Sequence, residues 1–480
     1  MDKELPVRNP RTGENDYTIH PPTNAELVSI AVELRGNQAE WGNADIEHRC
    51  AVVKAWAEDL LDPVDGLGGE LINALATDTG RYLVAMVEVQ TIRSIVNGWV
   101  HLAPTLIADS EERDSVTEGV GILGQLVPYE LAGVISPWNF PLLLSMLDAV
   151  PALVAGCAVI VKPSEVTPRF VQPLQDSIAR HPELAGVFRV IVGNGHTGAS
   201  LVDNVDVIAF TGSVATGRKV AEAAARNFIP ALLELGGKDP AIILPSADMD
   251  SAAKAVLRSS VQATGQACQS LERIYVHKDQ IDEFVDGLTK RAEQVELNYP
   301  DIHQGHIGPL IFDRQAEIIL DHLDDAVNKG ATVLCGGKLE NHGGGKWIRP
   351  TVLTEVDHSM KVMREETFGP VIPVMAYNNI EAAIKLANDS EYGLSAAVFG
   401  QDIEQAKAVA SKINAGAIGI NDGAVTVDVQ DAAHDSFGYS GMGQTRMGLT
   451  GMTRFTREKA LIVRRNEAKG IESLDERLLP

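Results

Sequence analysis

The sequence predicts an α/β protein of more than one domain, in which a helix-covered parallel sheet is followed by a second α/β unit. Three observations predict it. The 480 residues exceed the ~250 to 300 at which one hydrophobic core stops growing. From Val120 to Phe210 short β-branched runs alternate with helical stretches, the rhythm of a parallel sheet. After "LELGG" that rhythm restarts. A composition of 45% hydrophobic and 22% charged residues argues against disorder and against a fibrous chain.

Each element has its own reason. Residues 24–61 and 68–104 read as helices, because apolar positions recur at 3.6-residue spacing in "RCAVVKAWAEDLL" and "YLVAMVEVQTIRSIV". "GVISP", "AVIVKP", "FRVIV" and "DVIAFTGS" read as strands, with helices near 143–155, 168–180 and 195–202. In the second unit "PAIILP" and "RIYVH" are strands, and 249–265 and 279–296 are helices. The tail "EKALIVRRN", 458–466, alternates weakly. It fits either an edge strand pairing with another subunit or a strand completing its own domain. No internal repeat or low-complexity linker marks a boundary.

Lys and Arg number 41 against 65 Asp and Glu, and the net charge of −24 argues against nucleic-acid or membrane partners. "MDKELPVRNP" lacks the apolar core of a signal peptide, and the apolar stretch Leu131 to Leu147 is broken by Pro137, Asn139 and Pro141. Cys50, Cys157, Cys268 and Cys335 form no CxxC pair, and no His pair has metal-ligand spacing. A cytoplasmic protein with neither disulfides nor a metal site is therefore expected.

Several stretches carry chemistry, each with a bland alternative. Cys157 lies in the apolar run "VAGCAVIV", whereas Cys268 lies in the small-residue segment "ATGQACQS"; it is either an inert buried thiol or a nucleophile. Asn139, between Trp138 and Phe140, needs a partner, either structural or a developing oxyanion. Glu234 in "LELGGK" lies in an apolar context that would raise its pKa and suit it to general-base work, or else it pairs with a nearby Lys or Arg. Lys162 and Glu165 in "VKPSE" follow a strand at the sheet's carboxyl edge, where ligands of open α/β folds bind. In "FTGSVATGRKVAEAAA" Ser213 can cap a helix whose amino end is ready for phosphate. "GNGHTG" (193–198) matches GxGxxG, but no clear acidic-ended strand follows it about 20 residues on, so a tight strand-to-helix turn is the favoured reading. A nucleophile, an amide donor, a carboxylate and a phosphate-ready helix are together the parts of acyl chemistry coupled to a nucleotide.

These residues also carry a resemblance. In order, "NPRTGE" (9–14), "SPWNFP" (136–141), "VKPSE" (161–165), "FTGS" (210–213), "LELGGK" (233–238), "GQAC" (265–268), "RPTVL" (349–353), "EETFGPV" (365–371) and "NDSEYGL" (388–394) resemble the NAD(P)-dependent aldehyde dehydrogenase superfamily over nearly the whole chain. The resemblance implies a Rossmann-type cofactor domain from 1–105 and 129–236, a catalytic domain from 237–435, and a β projection and tail from 106–128 and 456–480 that joins a homodimer or homotetramer. It implies Cys268 as nucleophile, Asn139 as oxyanion donor and Glu234 as the base that activates water. It places Lys162 and Glu165 at the adenosine ribose, with Ser164 also touching the cofactor, and Gly212 and Ser213 at the pyrophosphate. Glu366 and Phe368 fall at the nicotinamide ribose and ring, with Ile135, Trp138 and Gly236 also lining the cofactor. "GNGHTG" is then a decoy.

On this resemblance the expected reaction oxidises a small aldehyde to its acid through a Cys268 hemithioacetal and thioester. Glu234 argues for hydrolysis over transfer to coenzyme A. Glu165 argues for NAD, with NADP the poorer cofactor. Three departures stand out. The segment "HDSFGYSGMGQTRMG" (434–448) is shortened and lacks the family's Lys, Asp148 stands where many members carry Lys, and Gln269 after the nucleophile is not diagnostic. The tunnel helix "LLLSMLDAV" (142–150) is mostly apolar and has no Arg, which favours a hydrophobic or aromatic aldehyde. The alternatives are a short-chain semialdehyde dehydrogenase, a thiol-dependent esterase without redox activity, or a non-enzymatic protein that keeps the fold.

Overall fold

A computed structural model describes residues 4–107, 111–429 and 431–476. The expected projection and tail fall in part, at 108–110 and 477–480, outside the described residues.

The first sheet has six strands, ordered Gly441–Met442, Ala231–Glu234, Val207–Thr211, Leu131–Ile135, Ala158–Lys162 and Phe188–Val190. The last five run parallel, and the short outer strand is antiparallel to Ala231–Glu234. Leu131–Ile135, Ala158–Lys162 and Val207–Thr211 are buried at every position, because helices cover both faces and leave no polar side to the strands. That is why they read as unbroken apolar runs. The strand order reverses between Leu131–Ile135 and Val207–Thr211, the crevice where ligands of such sheets bind.

The second sheet has seven strands, ordered Thr332–Cys335, Thr351–Thr354, Val371–Tyr377, Leu271–His277, Asp239–Ile243, Ser395–Phe399 and Ala417–Ile420. All but the first run parallel. "LELGGK" leaves the carboxyl end of a strand in one sheet and enters the amino end of a strand in the other. Cys268 and Glu366 likewise precede strands of the second sheet. The carboxyl edge of the first sheet thus faces the amino edge of the second.

The early helices are Asn24–Asn43, Ile46–Leu60, Gly68–Thr79 and Tyr82–Leu106. Thr23 and Glu26 form a reciprocal capping box at the first of them. The tail strand Thr456–Arg464 pairs antiparallel with Val120–Pro128 of its own chain, the second of the two readings. It is also the outer strand of its three-stranded sheet, so its far edge stays open.

One expected helix is too long. Helix Met249–Val261 stops at Val261, and Ala263, Thr264 and Gly265 take φ of 53°, 63° and 68°. Long-range bonds impose this left-handed run: the Thr264 hydroxyl donates to the Gly308 carbonyl at 3.1 Å and accepts its N–H at 3.0 Å. The Gln266 side chain accepts from Ile311 N–H at 2.9 Å and donates to the Pro309 carbonyl at 3.2 Å. Among the described residues, no helix is long and apolar enough to cross a membrane.

Candidate active site

Cys268 is held by the turn just described. A Cβ on Gly265 would lie 2.3 Å from the carbonyl carbon of Gly369, and one on Gly237 would lie 2.8 Å from the Cys268 carbonyl oxygen. The small residues of "ATGQACQS" therefore serve close backbone packing. Burial pushes the half-exposed Cys268 thiol up to about 12; Asp239, Glu366 and Glu234 add to the rise, and Arg446 opposes it. In the free protein the protonated thiol dominates at neutral pH. Iodoacetamide labelling of Cys268, followed by peptide mass spectrometry, is expected to rise about tenfold per pH unit up to roughly pH 10. A plateau below about pH 9 would contradict that environment.

Asn139 reaches this turn from the first sheet. Its buried side chain donates Nδ2–H to the Gln266 carbonyl at 3.0 Å, which uses one of the amide's two N–H donors. Arg81 donates to the main-chain carbonyls of both Asn139 and Ala263, so one buried guanidinium ties the Asn139 loop to the Cys268 turn. Seven residues on, Glu88 accepts the N–H groups of Leu142 and Leu143 at 3.1 and 3.0 Å. These are orphan donors at the amino end of helix Pro141–Ala155. Sequence reasoning missed Arg81 and Glu88. Their one signal was two charges in the otherwise apolar face of a helical stretch.

Glu234 ends its strand half-buried, and its partners come from the shortened segment. The Ser436 hydroxyl donates to Glu234 Oε2 at 3.1 Å, and Arg446 Nε lies 3.7 Å from Oε1. The Glu234 carboxylate is thus paired with an arginine while its side chain stays 18% exposed. Gly441 and Met442 pair with Glu234 and Leu233, so residues 436–446 wrap the base and do more than wall a tunnel. Asp148 is buried between Arg454 and Arg446. Gln269 accepts from the Thr426 hydroxyl at 2.7 Å.

The remaining positions line the crevice. Buried Lys162 donates to the Gly193 carbonyl at 2.7 Å and lies 3.7 Å from Glu165, whose carboxylate is partly exposed. The Ser164 hydroxyl accepts from Val166 N–H at 3.2 Å. "GNGHTG" starts a short helix capped by Asn194 and gives Lys162 a carbonyl. Ser213 caps helix Val214–Arg226 by accepting from Thr216 N–H, with Gly212 just before it at the end of the strand. Ile135 ends the neighbouring strand. The Trp138 ring meets those of Phe368 and Phe312 at 5.3 and 6.1 Å.

Glu366 Oε1 accepts from Gly237 N–H at 3.1 Å, and a Cβ on Gly236 would sit 2.4 Å from its Oε2. Burial and then Glu272 raise the Glu366 carboxyl to about 8. Phe368 has a φ of 52°, a conformation unusual for a bulky residue. Glu272 fixes it by accepting N–H from Thr367 and Phe368 at 2.8 and 2.7 Å, and Lys238 donates to Glu272 at 2.6 Å. Sequence reasoning missed Glu272. Among the described residues no group of three or more His, Cys, Asp or Glu is placed to hold a metal ion.

These residues suit a dinucleotide. A lysine–carboxylate pair can exchange hydrogen bonds with ribose hydroxyls, a capped helix end has N–H groups free of helical partners for a diphosphate, and Gly236 leaves room beside Glu366 that a side chain would fill.

Comparison with known proteins agrees. Residues 1–461 match the model of the aldehyde dehydrogenase family. PutA of Anabaena variabilis, assigned as an aldehyde dehydrogenase, superposes with a TM-score of 0.94 at 48% identity, covering 98% of this chain and 99% of that one. Betaine aldehyde dehydrogenase from Staphylococcus aureus, a point mutant solved with NAD+, gives a TM-score of 0.90 at 29% identity over 97% and 95% of the two chains. A Mycobacterium ulcerans protein assigned as succinate-semialdehyde dehydrogenase [NADP(+)] 2 is 32% identical over 96% of this chain and 90% of its own. The chain belongs to the aldehyde dehydrogenase family.

Proposed function

We propose that this protein oxidises a hydrophobic or aromatic aldehyde to the carboxylic acid, with NAD as hydride acceptor and Cys268 as the covalent centre. The observation that carries the reading is the convergence of three groups from two sheet edges. They are Cys268 on its locked turn, the Asn139 amide bonded into that turn, and Glu234 on the adjoining strand end.

Cys268 sulfur attacks the aldehyde carbon once it has lost its proton. The oxygen that becomes negative is held by the Asn139 amide, a fixed donor worth about 3 kcal/mol in such sites. When bound, a nicotinamide nucleotide supplies the acceptor for the hydride that leaves this carbon, and a thioester remains on Cys268. Glu234 takes a proton from water, the hydroxide displaces Cys268, and the acid departs. Lys162, Ser164 and Glu165 would hold the adenosine ribose, Gly212 and Ser213 the diphosphate, and Glu366, Phe368, Ile135, Trp138 and Gly236 the nicotinamide side.

The Glu165 carboxylate supports NAD, since it would stand against a 2′-phosphate. The relatives span both cofactors: the S. aureus enzyme carries NAD+, and the M. ulcerans name specifies NADP(+). Glu165→Gln is expected to narrow the NAD over NADP preference in kcat/KM by about tenfold, roughly 1.4 kcal/mol; an unchanged ratio would remove Glu165 from the choice.

The aldehyde class is supported by helix Pro141–Ala155, where Leu143, Leu144 and Leu147 are partly exposed. Arg81 and Arg446, which reach the Asn139 and Glu234 positions, are already engaged by carbonyls and carboxylates, leaving poor anchors for a semialdehyde's far carboxylate. Reduced nucleotide measured across aromatic, long aliphatic, short aliphatic and semialdehyde substrates, each with NAD and NADP, tests this. Highest kcat/KM with aromatic or long aliphatic aldehydes is expected; turnover confined to short dicarboxylic semialdehydes would overturn it. A homodimer or homotetramer is expected through Thr456–Arg464, whose Ile462 is 71% exposed, and light scattering on the purified protein checks it.

A further inference from the structure

We infer that Arg446 is a positioning residue for Glu234, and that Asp148 and Arg454 exist in the core to hold Arg446 in that place. The inference rests on Glu234 being the base that releases the acyl group. It concerns a chain of four charges that no motif of the family resemblance predicts: Arg454, Asp148, Arg446 and Glu234, in that spatial order.

The geometry is directional. Arg454 and Asp148 are each 1% exposed and in contact, so the inner end of the chain is fixed. Arg446 Nη2 lies 3.6 Å from Asp148 Oδ2 and donates to the Thr211 hydroxyl at the end of a strand of the first sheet. Its Nε faces Glu234 at 3.7 Å. Glu234 is 18% exposed, so it is the member that opens toward solvent and substrate. Ser436 steadies the other carboxylate oxygen from the same segment.

Charge balance gives the arrangement its purpose. Arg454, Asp148 and Arg446 alone sum to one positive charge in a buried place, which is costly unless paired. The Glu234 carboxylate completes a neutral set of two guanidinium and two carboxylate groups. Arg446 therefore attracts Glu234 to one position beside the Cys268 turn, and a fixed base is worth more than a mobile one because misplacement of about 1 Å can cost about 100-fold.

The test uses 4-nitrophenyl acetate without nucleotide or aldehyde. Cys268 sulfur attacks the ester carbonyl, 4-nitrophenolate leaves, and an acetyl thioester forms; water then gives a proton to Glu234, attacks the thioester and releases acetate. Intact-mass spectrometry follows the gain and decay of acetyl on purified full-length protein. Arg446→Met is expected to reach the wild-type extent of acetylation, more slowly because Arg446 favours the Cys268 thiolate, and to deacetylate at least about tenfold more slowly. Arg446→Lys should recover part of that rate. With Glu234→Gln already present, Arg446→Met should add less than about twofold, because the partner it positions is gone.

A full tenfold loss repeated in the Glu234→Gln background would overturn the inference, as would an unchanged deacetylation rate in Arg446→Met. Should Arg446→Met fail to fold, Arg446→Gln carries the same cycle. Acetylation persisting in Cys268→Ala would instead sink the active-site reading itself, and absent aldehyde oxidation with an intact ester cycle would sink the substrate reading alone.

Discussion

Cys268→Ala is expected to lower aldehyde oxidation by about 10^4-fold or more, with folding and nucleotide binding retained. The mechanism has no second nucleophile. Cys50 and Cys157 are buried in the first core, and Cys335 lies on the outermost strand of the second sheet. Losing a covalent nucleophile removes the route itself, whereas losing one oxyanion donor, as in Asn139→Ala, should cost about 100- to 1,000-fold. The thiol makes no hydrogen bond that Ala would break among those described, so thermal unfolding should stay close to wild type. Steady-state turnover and a melting curve on the same preparation check both halves. Residual turnover above about 1% of wild type would mean another group carries the chemistry.

Lys238→Met is expected to cost stability of about 3 to 5 kcal/mol, because it breaks a buried ion pair from one side. Lys238 is fully buried, and its ammonium donates to Glu272 at 2.6 Å and to the Thr367 hydroxyl at 3.0 Å. Burial pushes the Lys238 ammonium down, and the Glu272 carboxylate beside it works in the other direction. Without Lys238, Glu272 is left buried without its cation. The damage should be local as well, since Glu272 pins the Thr367 and Phe368 N–H groups and so the loop that presents Glu366. Chemical denaturation should show the loss, and nucleotide affinity should weaken in the same variant. Wild-type stability would mean that Glu272 finds another partner.

How much of this was legible in sequence follows from range. The parallel strands were readable because burial on both faces makes them apolar runs, as in Leu131–Ile135. The Cys268, Asn139 and Glu234 positions were readable because each sits in a short, distinctive motif. The turn at Ala263–Gly265 was not: it is set by partners at 308–311 and by Gly369, far along the chain, and local propensity alone would extend the helix. Arg446 was equally hidden. Its sequence context shows only a basic residue in a glycine-rich segment, and its meaning comes from Asp148, 298 positions earlier, and from Glu234. Glu272 reads as an ordinary charge at the start of a strand until the fold brings the Phe368 loop onto it.

The central claim is that an acyl group passes through Cys268, and trapping it is the most direct test. Glu234→Gln incubated with the preferred aldehyde and NAD should form the thioester and release it slowly. Intact-mass and peptide mass spectrometry should then show one adduct, on Cys268, equal to the aldehyde mass less two hydrogens, appearing only when NAD is present. Reduced nucleotide formed with no adduct on Cys268, or an adduct on another residue, would contradict the account.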